Sequence, residues 1–488
     1  MFLDRQYRHR DGLANRVLAS WFSILLAITV GLLVGATGLL ASNTGRLAIS
    51  WFGVGILFIV GILVTAIRPH WTTIALACVG WITYGTPAIT SGGSGVAKGL
   101  YVGEGLVVLL LAGALVPLIR EWKRTTIPKT TLGLFGMFLV ISLWSVLHNV
   151  WFPDLLVEQN GTYPHFVIVN IVEILLRVFA FGVFLIGNYL AQTRHRNAVL
   201  ISVVAGGVLS LVTLLTPWFD LAPSFSVFGR AIGVGLAVVV TLSSRFPAWL
   251  RALGLLLVVT CVVVSGFLGA EWVSGLVAMS VSIMLVVYHR SRLVFWWLVV
   301  ALGLMLVFRT DYIVERVYNP NFYAGGRMNW GVATLGGRSP GILENDRSRM
   351  LVAAVRYANT FPLGVGPGNY RQVNQYYGRK NVWNTTQFSS AHGTYAQALS
   401  ETGWAGLACL LLLLGNILSV MWKNSRTDTY GVGLAAGCTA VVVASFLGDY
   451  LFPTYYNGGL AHFGSTIIFW LCAGIGCAIK EKSVLETE

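Results

Sequence analysis

Apolar residues along this chain gather into runs of spanning length separated by short polar connections. A helix that crosses a bilayer takes roughly 20 mostly apolar residues. Runs of that size lie at 17–41, 47–67, 71–89, 101–119, 131–149, 166–191 and 198–217, and a second series at 229–244, 251–269, 272–288, 293–308, 402–422, 431–452 and 462–479. The pattern predicts an all-α polytopic membrane protein of about 14 transmembrane helices, or 12 to 14 if a weak pair such as 251–288 is re-entrant. One polar stretch of about 90 residues, 309–401, interrupts it. The chain therefore divides into an N-terminal transmembrane bundle over 1–308 with about 11 spans, a large loop over 309–401, and C-terminal transmembrane helices over 402–488 with about 3 spans.

Composition agrees with this division. Of 488 residues, 56% are apolar and only 11% charged, which excludes a water-soluble globule. The net charge of +14 would suggest nucleic acid in a soluble protein, but here it is first a matter of topology, and no nucleic-acid partner is expected. Lys and Arg in short loops stay on the cytoplasmic side. With the N-terminus inside, 19 basic residues from Arg5 to Lys482 sort inside, and the short outer loops hold little besides Arg46, Lys98 and Arg230. Both termini are then cytoplasmic and the large loop lies on the outer face. The basic start of the chain reads as a retained cytoplasmic lead, because the apolar run after it is of spanning length with no clear small-residue cleavage site. The six cysteines all lie in apolar runs without metal-ligand spacing and read as packing residues.

The large loop carries ten basic residues against five acidic ones. An anionic ligand accounts for that excess; so does a solvated surface, or contact with the anionic headgroups of membrane lipids. Two stretches in the loop read as helices. From Asp346, a plausible N-cap, DRSRMLVAAVRYANTF places its apolar residues at helical spacing before FPLGVGPGNY stops it, which suits a short amphipathic helix on the membrane surface. Arg349 and Arg356, seven apart, share a face, and Arg347 lies on the first turn. The second stretch follows Ser389 and Ser390 as plausible caps and runs HGTYAQALSETGWAG into the span beginning near Gly403, which puts His392 in a first helical turn. Histidine suits proton transfer near neutral pH, and a helix N-terminus favours its neutral, basic form. A structural interfacial histidine is the alternative at this point. Within the span 166–191, Glu173 and Arg177 stand four apart and are expected to pair, since a lone charge at membrane depth is costly.

The segment HGTYAQALSETGWAG resembles the end of the periplasmic loop in bacterial O-antigen ligases and the related O-antigen and exopolysaccharide polymerases, with matches at His392, Tyr395, Gln397, Leu399, Glu401, Gly403 and Gly406. It departs at Gly393, where that family usually has Asn or Ser, and at Ala396, where an aliphatic residue is usual. Upstream, Arg347 stands fifteen residues before Pro362 in PLGVGPGNY, which resembles a second family element. Arg230 in FSVFGRAIGVG resembles a third, without the Asn that often follows.

The resemblance implies a glycosyltransferase-C-like fold in the bacterial inner membrane. It implies transfer of a glycan from an undecaprenyl diphosphate carrier to an acceptor hydroxyl on the periplasmic face, with inversion and with neither metal nor other cofactor. His392 is then the catalytic base. Arg347 and Arg230 bind the donor diphosphate, with Arg349 and Arg356 as further candidates, a role for which guanidinium geometry is suited. Tyr395, Gln397, Glu401 and Gly403 are supporting motif residues. The acceptor is lipid A core, a protein or another lipid-linked glycan, so a ligase-like activity and a polymerase joining lipid-linked repeats both remain open. Glu344 and Asp346, the only close acidic pair in the loop, read as helix-start residues instead of metal ligands. A transporter or flippase of lipid-linked saccharide is the alternative from another class, but the two halves of the chain show no repeat of span pattern.

Overall fold

The structure is a computed structural model. It describes residues 111–151, 163–204, 225–266, 273–308, 346–374, 391–448, 451–454 and 460–478, apart from a few single positions and short gaps within those ranges, His392 among them. At several helix ends, including Arg230, Arg347 and Arg349, it describes the backbone alone. The spans expected before residue 101, most of 198–217, both termini and the loop over 309–345 lie outside the described residues.

All the described elements are helical. They are α1 (Lys129–Trp151), α2 (Tyr163–Ala191), α3 (Phe225–Leu242), α4 (Ala248–Gly266), α5 (Val273–Arg290), α6 (Arg292–Phe308), α7 (Asp346–Thr360), α8 (Thr394–Asn424), α9 (Gly431–Ala444) and α10 (Leu460–Cys477). Three contain stretches long and apolar enough to cross a membrane, Lys129–His148, Val169–Ala191 and Thr394–Asn424, and five shorter apolar helices accompany them. The chain is a multi-pass membrane protein.

Helix boundaries follow the apolar runs closely, with two differences. The run at 431–452 is helical only to Ala444 and continues as turns through Gly448. The apolar run at 402–422 and the polar helix expected before it form one element, α8, bent at Gly403.

Helices approach one another through small residues, as expected where lipid supplies no hydrophobic drive for association. α10 lies along α2 so closely that a Cβ on Gly187 would overlap the Leu471 carbonyl, and one on Gly474 would overlap the Phe184 carbonyl. Trp470 fills the centre of this packing. Its ring meets Phe135, Phe184, Phe452 and Phe469 with centroids 5.1–6.5 Å apart, and its Nε1–H donates to the Leu451 carbonyl at 2.7 Å. The outward faces are apolar instead: Trp249, Leu253 and Leu256 on α4, and Leu293, Trp296 and Trp297 on α6, are exposed. The cysteines Cys261, Cys409, Cys438, Cys472 and Cys477 are free and buried, in keeping with packing roles.

Two polar networks tie α2 to its neighbours, one at its Ala191 end and one midway along it. At the Ala191 end, Thr126 N–H donates to Asn188 Oδ1, Tyr189 OH to Glu121 Oε2, and Arg196 pairs with Asp428. The other network holds the motif residues.

Candidate active site

The bend in α8 organises the site. Gly403 has φ 69° and ψ −172°, outside the helical region, so the helical ladder breaks around it. A turn from the loop docks on the backbone at that break: Val365 N–H donates to the Ser400 carbonyl at 2.9 Å and Gly366 N–H to the Glu401 carbonyl at 3.0 Å. Ser145 Oγ on α1 adds a bond to the same Glu401 carbonyl at 2.9 Å. Glycine is required on both sides of the contact. Gly364 and Gly403 both have positive φ; a Cβ on the first would overlap the Glu401 peptide, and one on the second the Pro362 carbonyl. The segments PLGVGPGNY and SETGWAG therefore fold as one interlocked unit.

α7 is fixed to that unit by a small core of its own, in which Ala353, Ala354, Tyr357, Val365, Tyr370, Val373, Ala391 and Ala396 are buried together. Tyr357 OH donates to Asn374 Oδ1 at 3.1 Å, and Trp404 Nε1–H donates to Asn359 Oδ1 at 3.0 Å. The start of α8 is held from the other side by the end of α9. Thr394 N–H reaches the Ser445 and Gly448 carbonyls, both at 3.2 Å, while Tyr395 OH donates to the Val442 carbonyl at 2.7 Å and its ring packs on Phe446.

These contacts set where the helix begins. Its N-cap is Gly393, with extended backbone, and its first residue is Thr394; His392, expected in the first turn, lies outside the described residues. The start is fixed by tertiary contact: the turns after α9 supply the acceptors for Thr394 N–H and define the first helical residue.

Beneath this start lies a buried charged network. Arg177 Nη2–H donates to Glu401 Oε2 at 2.9 Å, and its Nη1–H donates to Ser142 Oγ at 2.6 Å. Its guanidinium carbon lies 5.3 Å from the centre of the Phe138 ring. Gln397 Nε2–H donates to the other carboxylate oxygen, Glu401 Oε1, at 2.9 Å. Arg177 thus takes Glu401 on the neighbouring helix as its ionic partner, and the expected Glu173–Arg177 pair does not form. Glu173 lines a small pocket instead, together with Phe138, Arg177, Thr394, Gln397, Ala398, Phe452 and Thr454.

Of the expected site residues, Tyr395, Gln397, Glu401 and Gly403 are buried in α8 around this network. Arg356 is exposed on α7, and Arg347 and Arg349 are in that helix's first turn. Arg230 lies near the start of α3. Ser142, Ser145 and the Glu401 partnership of Arg177 were missed. Arg177 did stand out as a basic residue at membrane depth, but its partner is far away in sequence.

Residues 252–411 match the family model described as O-Antigen ligase. The matched stretch runs from α4 into α8 and includes both interlocked segments, so the O-antigen ligase resemblance read from the motifs holds for this part of the chain. The match is a similarity over this stretch to a family whose members are glycan-transferring enzymes. Helices α1 to α3, and with them Arg177 and Arg230, precede the O-antigen ligase match. No curated protein matches the chain.

Proposed function

We propose that this protein moves a glycan from an undecaprenyl diphosphate carrier to an acceptor hydroxyl on the periplasmic face of the inner membrane, in the manner of an O-antigen ligase, with both termini cytoplasmic. The observation that carries this reading is the interlock of the two motif segments inside the O-antigen ligase match, through Val365 N–H to Ser400 and Gly366 N–H to Glu401. It ties the helix whose sequence carries Arg347, Arg349 and Arg356 to the start of α8, which supports reading the two motif segments as parts of one site.

In this mechanism His392 takes the proton of the acceptor hydroxyl as its oxygen attacks the anomeric carbon. The new carbon–oxygen bond forms while the bond to the phosphate oxygen breaks, and the electron pair leaves with undecaprenyl diphosphate. Arg347 and Arg230, with Arg349 and Arg356 as further contacts, stabilise the charge that develops on the departing diphosphate. The step is inverting and needs no metal. A polymerase would use the same groups with a second lipid-linked glycan as acceptor in place of lipid A core or a protein.

The test is incubation of purified protein with a lipid-linked repeat, with and without a lipid A core acceptor. Core-linked product identifies a ligase, and chain growth without core a polymerase. His392→Ala should abolish transfer, a loss of at least 100-fold given the usual worth of general base catalysis, while donor binding persists. Arg347→Ala should weaken donor binding. Normal product formation by the histidine variant would overturn the mechanism, no product from the unsubstituted protein would favour a flippase, and activity lost to a chelator and restored by a divalent ion would overturn the metal-free step.

A further inference from the structure

The pocket at the start of α8 is lined by Gln397, which has a polar atom that the network around it leaves unused. Gln397 is buried, and its Oε1 has no hydrogen-bond partner. Its orientation is fixed by chemistry. Glu401 Oε1 only accepts hydrogen bonds as a carboxylate, so the Gln397 atom beside it must be the donating Nε2, and Oε1 must point elsewhere. Glu401 is in turn held by Arg177, and Arg177 by Ser142. The relay Ser142–Arg177–Glu401–Gln397 therefore fixes one acceptor on a residue that lines the pocket together with Thr394 and Glu173. A buried acceptor without a donor is costly and calls for an occupant.

The surroundings indicate the occupant's chemistry. Arg177 is turned to Glu401 and Ser142, and a carboxylate and an amide oxygen line the pocket, so a diphosphate is disfavoured and a neutral donor such as a hydroxyl is favoured. Phe138 and Phe452, stacked on each other, add an apolar side to the pocket. The pocket is small and admits a hydroxyl or hydroxymethyl arm, not a whole ring. Thr394, in the pocket lining, stands two residues after the proposed base in the chain.

We propose that this pocket is a saccharide subsite in which Gln397 Oε1 accepts a hydrogen bond from one sugar hydroxyl. The inference rests on the glycan-transfer reading for the class of ligand, but its test needs no turnover. Full-length protein in lipid nanodiscs is mixed with millimolar methyl glycosides of glucose, galactose, rhamnose and N-acetylglucosamine, and binding is read by saturation-transfer difference NMR. At least one glycoside should give signals with the unsubstituted protein. Gln397→Leu should reduce them at least fivefold, with undecaprenyl diphosphate binding unchanged within twofold, and Leu412→Ala on the exposed face of α8 should leave both alone. Equal signals from the unsubstituted and Gln397→Leu proteins, or none from either, would mean that Oε1 serves only a buried water and would overturn the proposal. A second measurement needs no substitution: saturating glycoside should slow hydrogen exchange over 394–398, and unchanged exchange there overturns it as well. Failure of the reaction itself is distinguishable, because it appears as normal transfer by the His392→Ala variant.

Discussion

Arg177 and Glu401 occupy a place where an isolated charge is costly, and each is tolerable because of the other. Removing one partner leaves the second buried without compensation. Arg177→Met is expected to cost about 3–5 kcal/mol, read as a lowered unfolding midpoint in detergent. The double variant Arg177→Met with Glu401→Met should regain much of that loss. A double variant no more stable than the single one would show that the ion pair is not what the site depends on. The same pair marks the limit of what the sequence reveals at this scale. Periodicity within one helix offers Glu173 to Arg177, four residues away, whereas the partner it takes is supplied by a kink in another helix. That choice depends on how α2 and α8 are set against each other, which no local pattern encodes. Gln397 and Glu401 were visible only as members of a motif; their division of labour, one donating and one accepting, became clear from their geometry.

At the scale of elements, apolar run length located the helices well, because crossing a bilayer imposes a length that composition must meet. It located their ends less well. The start of α8 is set by acceptors after α9, and the end of α9 by the turns that provide them, so both depend on a neighbour. Two glycines of α8 give a matched comparison. At Gly403, with φ 69° and the Pro362 carbonyl against its Cα, Ala should cost more than the ~1–2 kcal/mol of the left-handed conformation alone. It should also release the PLGVGPGNY turn, seen as faster proteolysis after residue 361. At Gly415 nothing lies within 4 Å of an added Cβ, and Ala should be neutral or stabilise by up to about 1 kcal/mol. Similar melting shifts for the two variants would argue against the interlock.

For the molecule as a whole, the arrangement of apolar groups is opposite in kind to that of a soluble protein: large hydrophobic side chains face out on α4 and α6, while Ser142, Asn170, Glu173 and Arg177 are buried. This predicts a spectroscopic asymmetry. In liposomes of brominated lipid, the fluorescence of Trp296 and Trp297 should be strongly quenched and that of Trp470 spared, as measured in variants retaining one site at a time. Equal quenching of Trp470 would contradict its central position between α1, α2 and α10. The docked turn has a further consequence for how any bulky lipid-borne molecule gains entry. Lifting PLGVGPGNY away from α8 would break two main-chain hydrogen bonds in a poorly hydrated setting, leaving the Glu401 carbonyl with Ser145 alone, so turn and helix start should travel as a single block. Room for a large guest must then come from outside that block, and clamping the turn to α8 with a crosslink should leave entry intact.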